Sequence, residues 1–218
     1  MGTTYEILIA DDHPLFRSAL FQALNAGLTA EIRLTEAGSI AELQSLLEQR
    51  QAWDLVLLDL NMPGAHGFSG LVLLRSQFPH VPVIVISAQE EAAVVQRARD
   101  FGASGFIPKS SALEDIQRSV QEVLDGDTCW PEQANEAVSP MSSEQTTISA
   151  QLASLTPQQF RVLSMVCDGL LNKQIAYELE VSEATVKAHV TAIFRKLDVR
   201  TRTQAALALQ HMELSRSS

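Results

Sequence analysis

Asp11, Asp12, Asp59, Ser87 and Lys109 are the residues of this chain whose types could do chemistry together. Each stands after a short apolar run: EILIA before Asp11-Asp12, LVLL before Asp59, VIVI before Ser87 and GFIP before Lys109. Runs of this kind, bounded by turn residues, suit strands buried on both faces of a parallel sheet that helices cover. In open sheets of that class, ligands gather in the crevice beyond the carboxyl ends of the strands. Neighbouring strands lie ~5 Å apart, so the five polar groups should converge on one edge. Three carboxylates held together repel unless a cation offsets them, and a hard divalent ion with oxygen ligands meets that need. Mg²⁺ typically takes one or two carboxylates plus a phosphate, which leaves one carboxylate able to carry a phosphoryl group. Taken singly the residues are ordinary: Asp11 or Asp12 would cap a helix opening at Pro14, and Lys109 would be a solvated lysine.

The elements that must position these groups can be read from period. Strands are expected near Tyr5 to Ala10, Glu31 to Glu36, Asp54 to Leu58, Val81 to Ser87 and Ser104 to Ile107. Helical patterns alternate with them near Pro14 to Ala26, Ser39 to Arg50, Gly67 to Phe78, Glu90 to Phe101 and Ala112 to Leu124. Strict alternation of strand and helix is the pattern of one doubly wound α/β sheet.

From Asp127 to Ala153 the periodicity disappears into DTCWPEQANEAVSPMSSEQTTISAQLA, a linker with room for a few helical turns. The last third shows helix patterns without strands. LTPQQF opens a helix with Thr156 as cap, Pro157 in the first turn and Gln159 closing a capping box, and Gly169 ends it. Asn172 is expected to cap a second helix, Lys173 to Leu179, and Ser182 a third, Glu183 to Leu197, with a fourth from Thr203 to about Glu213. In the third, Val186, Val190, Ile193, Phe194 and Leu197 make one buried face, while Lys187, Ala188, Thr191 and Arg195 make a narrow polar stripe opposite. A short helix, a turn and a second helix bearing such a stripe is the helix-turn-helix pattern. Lys donates to guanine edges, Thr bonds either kind of base and Ala touches the thymine methyl.

The whole chain of 218 residues carries a net charge of −10, which by itself argues against nucleic-acid binding. The charge is divided unevenly. Residues 1–149 hold 8 Lys and Arg against 20 Asp and Glu, a net −12, whereas residues 150–218 hold 8 against 6, a net +2. Two halves with different partners are implied. Cys129 and Cys167 lack CxxC or His-rich surroundings, so free thiols are expected. No stretch reaches the ~20 apolar residues of a membrane span, the amino end has no signal-peptide pattern, and a cytoplasmic location is expected.

The acidic pair, then DLNMPGAHG, ISA and GFIPKS, resemble in order and position the receiver domain of two-component response regulators. That resemblance implies a CheY-like receiver with five parallel strands in the order 2-1-3-4-5. It implies Asp59 as phosphoacceptor, Mg²⁺ held by Asp12, Asp59 and the carbonyl of Asn61 with Asp11 helping through water, Lys109 pairing with the phosphoryl oxygens, and Ser87 donating its hydroxyl. Phe106 occupies the switch position, where the family often has Tyr, and is expected to turn inward on phosphorylation. His13 and His66 receive no role and are expected to face solvent.

GLLNKQIAYELEVSEATVKAHVTAIFRKLDVRTRTQAAL resembles the LuxR-type helix-turn-helix of the NarL/FixJ class. Gln158-Gln159 stands where Arg-Glu is usual, and Leu171 where Ser is common. The resemblance implies that Lys187, Ala188 and Thr191 face bases, with Lys173, Thr185, Arg195, Lys196 and Arg202 as phosphate or sugar contacts. The expected organisation is a receiver over residues 1–126, a linker over 127–152 and an all-α DNA-binding domain over 153–218. The expected partners are a sensor histidine kinase, double-stranded DNA, a second copy of the chain and, further, RNA polymerase. The expected activity is transcription control rather than enzyme catalysis. Two rivals are a haloacid-dehalogenase-like phosphatase, for which Asp59-Leu60-Asn61 lacks the second carboxylate of D-x-D, and a protein-binding adaptor. Control is expected either through masking of the basic helix by the acidic receiver or through dimerisation of a remodelled receiver face.

Overall fold

A computed structural model describes residues 4–28, 30–49, 52–131 and 143–210 of the chain. Five parallel strands, β1 (Thr4–Ala10), β2 (Glu31–Ala37), β3 (Leu55–Asp59), β4 (Val83–Ser87) and β5 (Gly105–Pro108), form one sheet in the order β2-β1-β3-β4-β5. Between and after them run α1 (Pro14–Gly27), α2 (Ile40–Gln49), α3 (Ser69–Gln77), α4 (Ala92–Asp100) and α5 (Leu113–Leu124). The expected α/β alternation and strand order are therefore present.

Period-2 alternation divides the strand side chains between two cores. Ile7, Ile9, Leu55, Leu57, Ile84 and Ile86 point to one face, where Leu20 and Leu24 of α1 and Ile116, Val120 and Val123 of α5 cover them. Leu8, Ala10, Val56, Leu58, Val83 and Val85 point to the other, beneath α2, α3 and α4. Because β3 is buried at all five positions, Asp59 is held as the last paired residue of a rigid strand, opposite Ile86. The expectation had placed it just outside.

Two departures concern the segment after α5. Cys129 makes a parallel bridge to Gly105, with Phe106 N–H donating to Cys129 O (2.9 Å) and Cys129 N–H to Ser104 O (3.2 Å), so the start of the expected linker covers the outer edge of β5. Burial pushes the Cys129 thiol up to about 11, with the charge of Glu122 acting in the same direction. At the far end of the segment, α6 (Ser143–Ala153) is a full helix that packs against α3, with Ile148 and Leu152 buried one turn apart. Its polar composition hid it, since burial of two side chains supplies what propensity does not. Residues 132–142, the middle of the expected linker, lie outside the described residues.

The remaining helices are α7 (Pro157–Cys167), α8 (Asn172–Glu178), α9 (Glu183–Lys196) and α10 (Arg202–Gln210). Thr156 and Gln159 form the expected capping box, with bonds of 3.3 and 3.1 Å, and Ser182 accepts from Thr185 N–H at 3.0 Å. Gly169, at φ +86°, ends α7 in the left-handed conformation that glycine adopts without strain. Asn172 is not a cap: Leu171 holds that position, and its N–H donates to Gln174 Oε1 at 2.7 Å, a bond that satisfies the helix entry from the other side. The expected end of the last helix at Glu213 lies outside the described residues.

The closeness of the Cys129 strap yields a test. A Cβ on Gly105 would stand 2.1 Å from Cys129 Sγ and 2.8 Å from Cys129 O. Gly105→Ala is expected to destabilise the fold by about 1–3 kcal/mol in urea unfolding, and Cys129→Ala should relieve the loss only partly because the backbone oxygen remains.

Candidate functional site

The carboxyl ends of β1, β3, β4 and β5 bring the predicted groups together. Lys109 Nζ lies 2.8 Å from Asp59 Oδ2 and 2.7 Å from Asp11 Oδ2, bridging two buried carboxylates. Lys109 N–H donates to Ser87 O (2.8 Å), which fixes where the lysine leaves β5, and the ring of Phe16 lies 4.9 Å beneath its ammonium. Asn61 N–H donates to Asp59 Oδ1 at 3.2 Å. Arg17 secures the floor by donating from Nη1 to Asp11 O and from Nε to Glu36 Oε2, both at 2.6 Å.

Burial pushes the Asp59 carboxyl above its ordinary value, and the charge of Asp11 adds to this, while Lys109 and the Asn61 N–H act in the opposite direction. Burial also works against the charge on Lys109, yet its bonds to Asp11 and Asp59 outweigh that and raise its value. The ammonium is therefore a fixed positive charge at neutral pH, standing where the charge of a phosphoryl group on Asp59 would need compensation.

The donor set fits a divalent cation. Asp11, Asp12, His13 and Asp59 each offer one ligand atom within 4.8 Å of the others. Asp12 Oδ1 is buried and meets no aligned hydrogen-bond donor, although His13 Nδ1 stands 2.7 Å from it. A buried carboxylate oxygen in that condition is costly without a cation. Neither Asp11 nor Asp12 caps α1; His13 occupies that position without a side-chain cap bond.

Two expectations need correction. Phe106 is already buried, at 2% exposure, among the core residues beneath α4, so the inward turn expected of it has no outward starting point here. His66 does not face solvent: its Nε2 lies 3.7 Å from Asp168 Oδ1 at the end of α7, and its side chain is 18% exposed. His13 faces solvent as expected, at 64% exposure, with its Nδ1 toward Asp11 and Asp12. The available signal for His66 was its place within the DLNMPGAHG loop. Ser87 is buried at the end of β4, where its hydroxyl accepts from Gln89 N–H at 3.1 Å.

On the second site, Lys173, Thr185, Lys187, Ala188, Thr191 and Arg195 are all exposed, while Val186 and Ile193 are buried on the opposite side of α9. The receiver does not mask the stripe. It meets α7 instead, across a cleft lined by Ile40, Pro63 and Gly64 on one side and by Phe160, Ser164 and Met165 on the other. Two expected phosphate contacts are committed within the chain. Lys196 Nζ donates to Ser154 O (2.7 Å) and Gln159 Oε1 (2.8 Å), and Arg202 Nη2 donates to Leu170 O (3.0 Å).

Residues 7–121 match the response regulator receiver domain, and residues 153–209 match the bacterial regulatory proteins of the luxR family. Over 209 residues the chain is 41% identical to a glycerol metabolism activator of Pseudomonas putida and 32% identical to the nitrate/nitrite response regulator protein NarP of Escherichia coli (strain K12), covering 94% of each chain in both cases. Its backbone resembles that of RcsB from Salmonella enterica serovar Typhimurium bound to promoter P1flhDC in the presence of the phosphomimetic BeF3−. The TM-score is 0.56 at 23% identity, over 96% of this chain and 99% of that one.

The bridging lysine yields a test of the electrostatics. Lys109→Ala leaves two buried carboxylates without their cation and should cost about 3 kcal/mol. Urea unfolding with and without excess Mg²⁺ checks this: the ion should recover part of the loss, and no recovery would separate these carboxylates from cation binding.

Proposed function

This chain belongs to the LuxR-type response regulators, transcription regulators with a receiver domain, and on that premise we propose that phosphorylation of Asp59 by a sensor histidine kinase controls DNA binding by α9. The observation that carries this reading is the placement of Asp59. It is the one carboxylate of the cluster that ends a strand buried at every position and also contacts Lys109. We divide the chain into a receiver at 1–126, a connecting segment at 127–152 that includes most of α6, and a DNA-binding domain at 153–218.

In the proposed transfer, an Asp59 carboxylate oxygen attacks phosphorus in line, the bond from phosphorus to the kinase histidine breaks, and that imidazole takes up a proton. Positioning and charge neutralisation do most of the work in such reactions. Lys109 follows the charge from the carboxylates to the phosphoryl oxygens, moving little because its backbone is pinned to Ser87. Ser87, whose hydroxyl oxygen accepts from the Gln89 N–H, donates its O–H to a phosphoryl oxygen. Asp11, Asp12, Asp59 and the carbonyl of Asn61 would hold Mg²⁺, which offsets the carboxylates and the incoming phosphate. The phosphatase reading lacks its acid-base group, because residue 61 is Asn where D-x-D would supply a carboxylate.

The luxR-family match over residues 153–209 supports DNA over protein docking as the function of the second domain, and the exposed α9 stripe is free to serve it. Lys187, Ala188 and Thr191 would face bases, with Lys173, Thr185 and Arg195 at the backbone. A dimer reading two half-sites fits the domain's small size, and Leu207, 51% exposed on α10, supports that helix as a dimer surface.

Asp59→Asn should abolish labelling by a small acyl phosphate without loss of fold, since Asn is nearly isosteric and a far poorer nucleophile. Equal labelling of the variant would place the acceptor elsewhere. In binding assays, Lys187→Ala should cost about 1–3 kcal/mol of discrimination between selected and random DNA. Lys196→Ala should instead lower the thermal stability of the domain, because its ammonium holds the turn before α7. A Lys196 variant of unchanged stability and weakened DNA binding would return that residue to the interface.

A further inference from the structure

We propose that the cleft between the receiver and α7 is a binding site for a small apolar monocarboxylate, whose carboxylate Arg161 and Ser164 hold. The site is separate from the acidic pocket at Asp59 and from the α9 stripe, and it needs neither phosphorylation nor DNA.

The cleft has a volume of about 220 Å³, somewhat below the roughly 300 Å³ at which sites for drug-sized ligands begin, so it suits a smaller occupant. Its walls are mostly apolar, with Ile40 and Pro63 of the receiver facing Phe160 and Met165 of α7. Between these walls two polar atoms are left unsatisfied among the described residues. Ser164 is 4% exposed and its Oγ has no hydrogen-bond partner, although the backbone of Gly64 passes so close that a Cβ there would stand 3.9 Å from it. Arg161 Nε is likewise buried without an acceptor.

Helix α7 brings these two groups together. Residues three apart on a helix are neighbours on one face, with Cβ atoms ~5–6 Å apart, so Arg161 and Ser164 can reach the two oxygens of one carboxylate. Guanidinium N–H and serine O–H are both donors, and an ionised acceptor gives them the stronger class of hydrogen bond. The polarity of the cleft sets the orientation. Asp168, which also lines it, follows Arg161 by seven residues, ~10 Å of helix rise, and its Oδ1 faces His66 Nε2 at 3.7 Å. The carboxylate therefore belongs at the Arg161 end, with the hydrocarbon body of the ligand against Ile40, Pro63 and Met165.

Water is the poorer occupant. A water bonded to Ser164 would meet apolar walls on its other sides, short of the two to four polar partners that a buried water needs. Because both halves of the chain build the walls, an occupant stabilises the arrangement that encloses it.

Benzoate, titrated calorimetrically into the unphosphorylated full-length protein, tests the site. Saturable one-to-one binding is expected, together with a rise in the thermal midpoint. Arg161→Gln should raise the dissociation constant at least roughly tenfold, as loss of a hydrogen bond to a charged group does. Ser164→Ala should weaken binding too, yet leave the ligand-free protein no less stable, since the hydroxyl it removes has no partner. Benzylamine, of similar size and opposite charge, should bind more weakly than benzoate. Absence of saturable binding, an unchanged dissociation constant in Arg161→Gln, or tighter binding of benzylamine would overturn the proposal. A ligand-free Ser164→Ala protein less stable than its parent would make that hydroxyl a structural group and overturn its part in the site.

Discussion

The structure depends on a single ammonium placed between two buried carboxylates. Asp11 and Asp59 end neighbouring strands, and at that spacing in a poorly solvated edge their mutual repulsion is far larger than it would be in water. Lys109 relieves it from β5, two strands away from Asp59 in the sheet. The apolar strands make this arrangement rigid, since Asp59 cannot retreat from Lys109 without shifting a strand that is buried at every residue. The same arrangement leaves a desolvated, positioned cation beside Asp59, where the proposed phosphoryl group would meet it.

That site stands close to the DNA-binding half through a short stretch of chain. The loop that leaves Asp59 contains Pro63 and Gly64, which line the cleft against α7, and His66, which faces Asp168. Pro63 O also accepts from Ile40 N–H at 3.1 Å, tying the loop to the start of α2. Because α6 packs on α3, the two halves share one continuous apolar cluster. The exposed stripe of α9 takes no part in it. Any control exercised through this arrangement must alter how α7 sits or how two copies associate, because a ligand or modification shifts an equilibrium only through contacts that differ between states.

Much of this was legible in the chain. The alternation of apolar runs and helical patterns specified the sheet because each strand is hydrophobic on both faces, a property that parallel sheets require. The caps at Thr156 and Ser182 were legible because they use local side-chain bonds spanning three residues. Asn172 misled for the same reason: a good capping residue next to a helix start was displaced when Gln174 satisfied the entry from inside the helix. Helix α6 was read only as a few turns in a linker, since its Ser, Thr and Gln content carries little apolar pattern and its stability comes from α3.

What the sequence determined by itself were the local and periodic features: which residues alternate, which run ends in Asp59, and which helix bears Lys187, Ala188 and Thr191 opposite an apolar face. These follow from backbone geometry, which repeats every two or 3.6 residues whatever the rest of the chain does. Tertiary structure decided what becomes of side chains once distant elements meet. It turned Lys196 and Arg202 inward to Ser154 and Leu170, set Phe106 in the core, brought His66 to Asp168 and left the α9 stripe uncovered. Long polar side chains reach partners set by packing, and no sequence spacing encodes a contact between residues that only the fold makes neighbours.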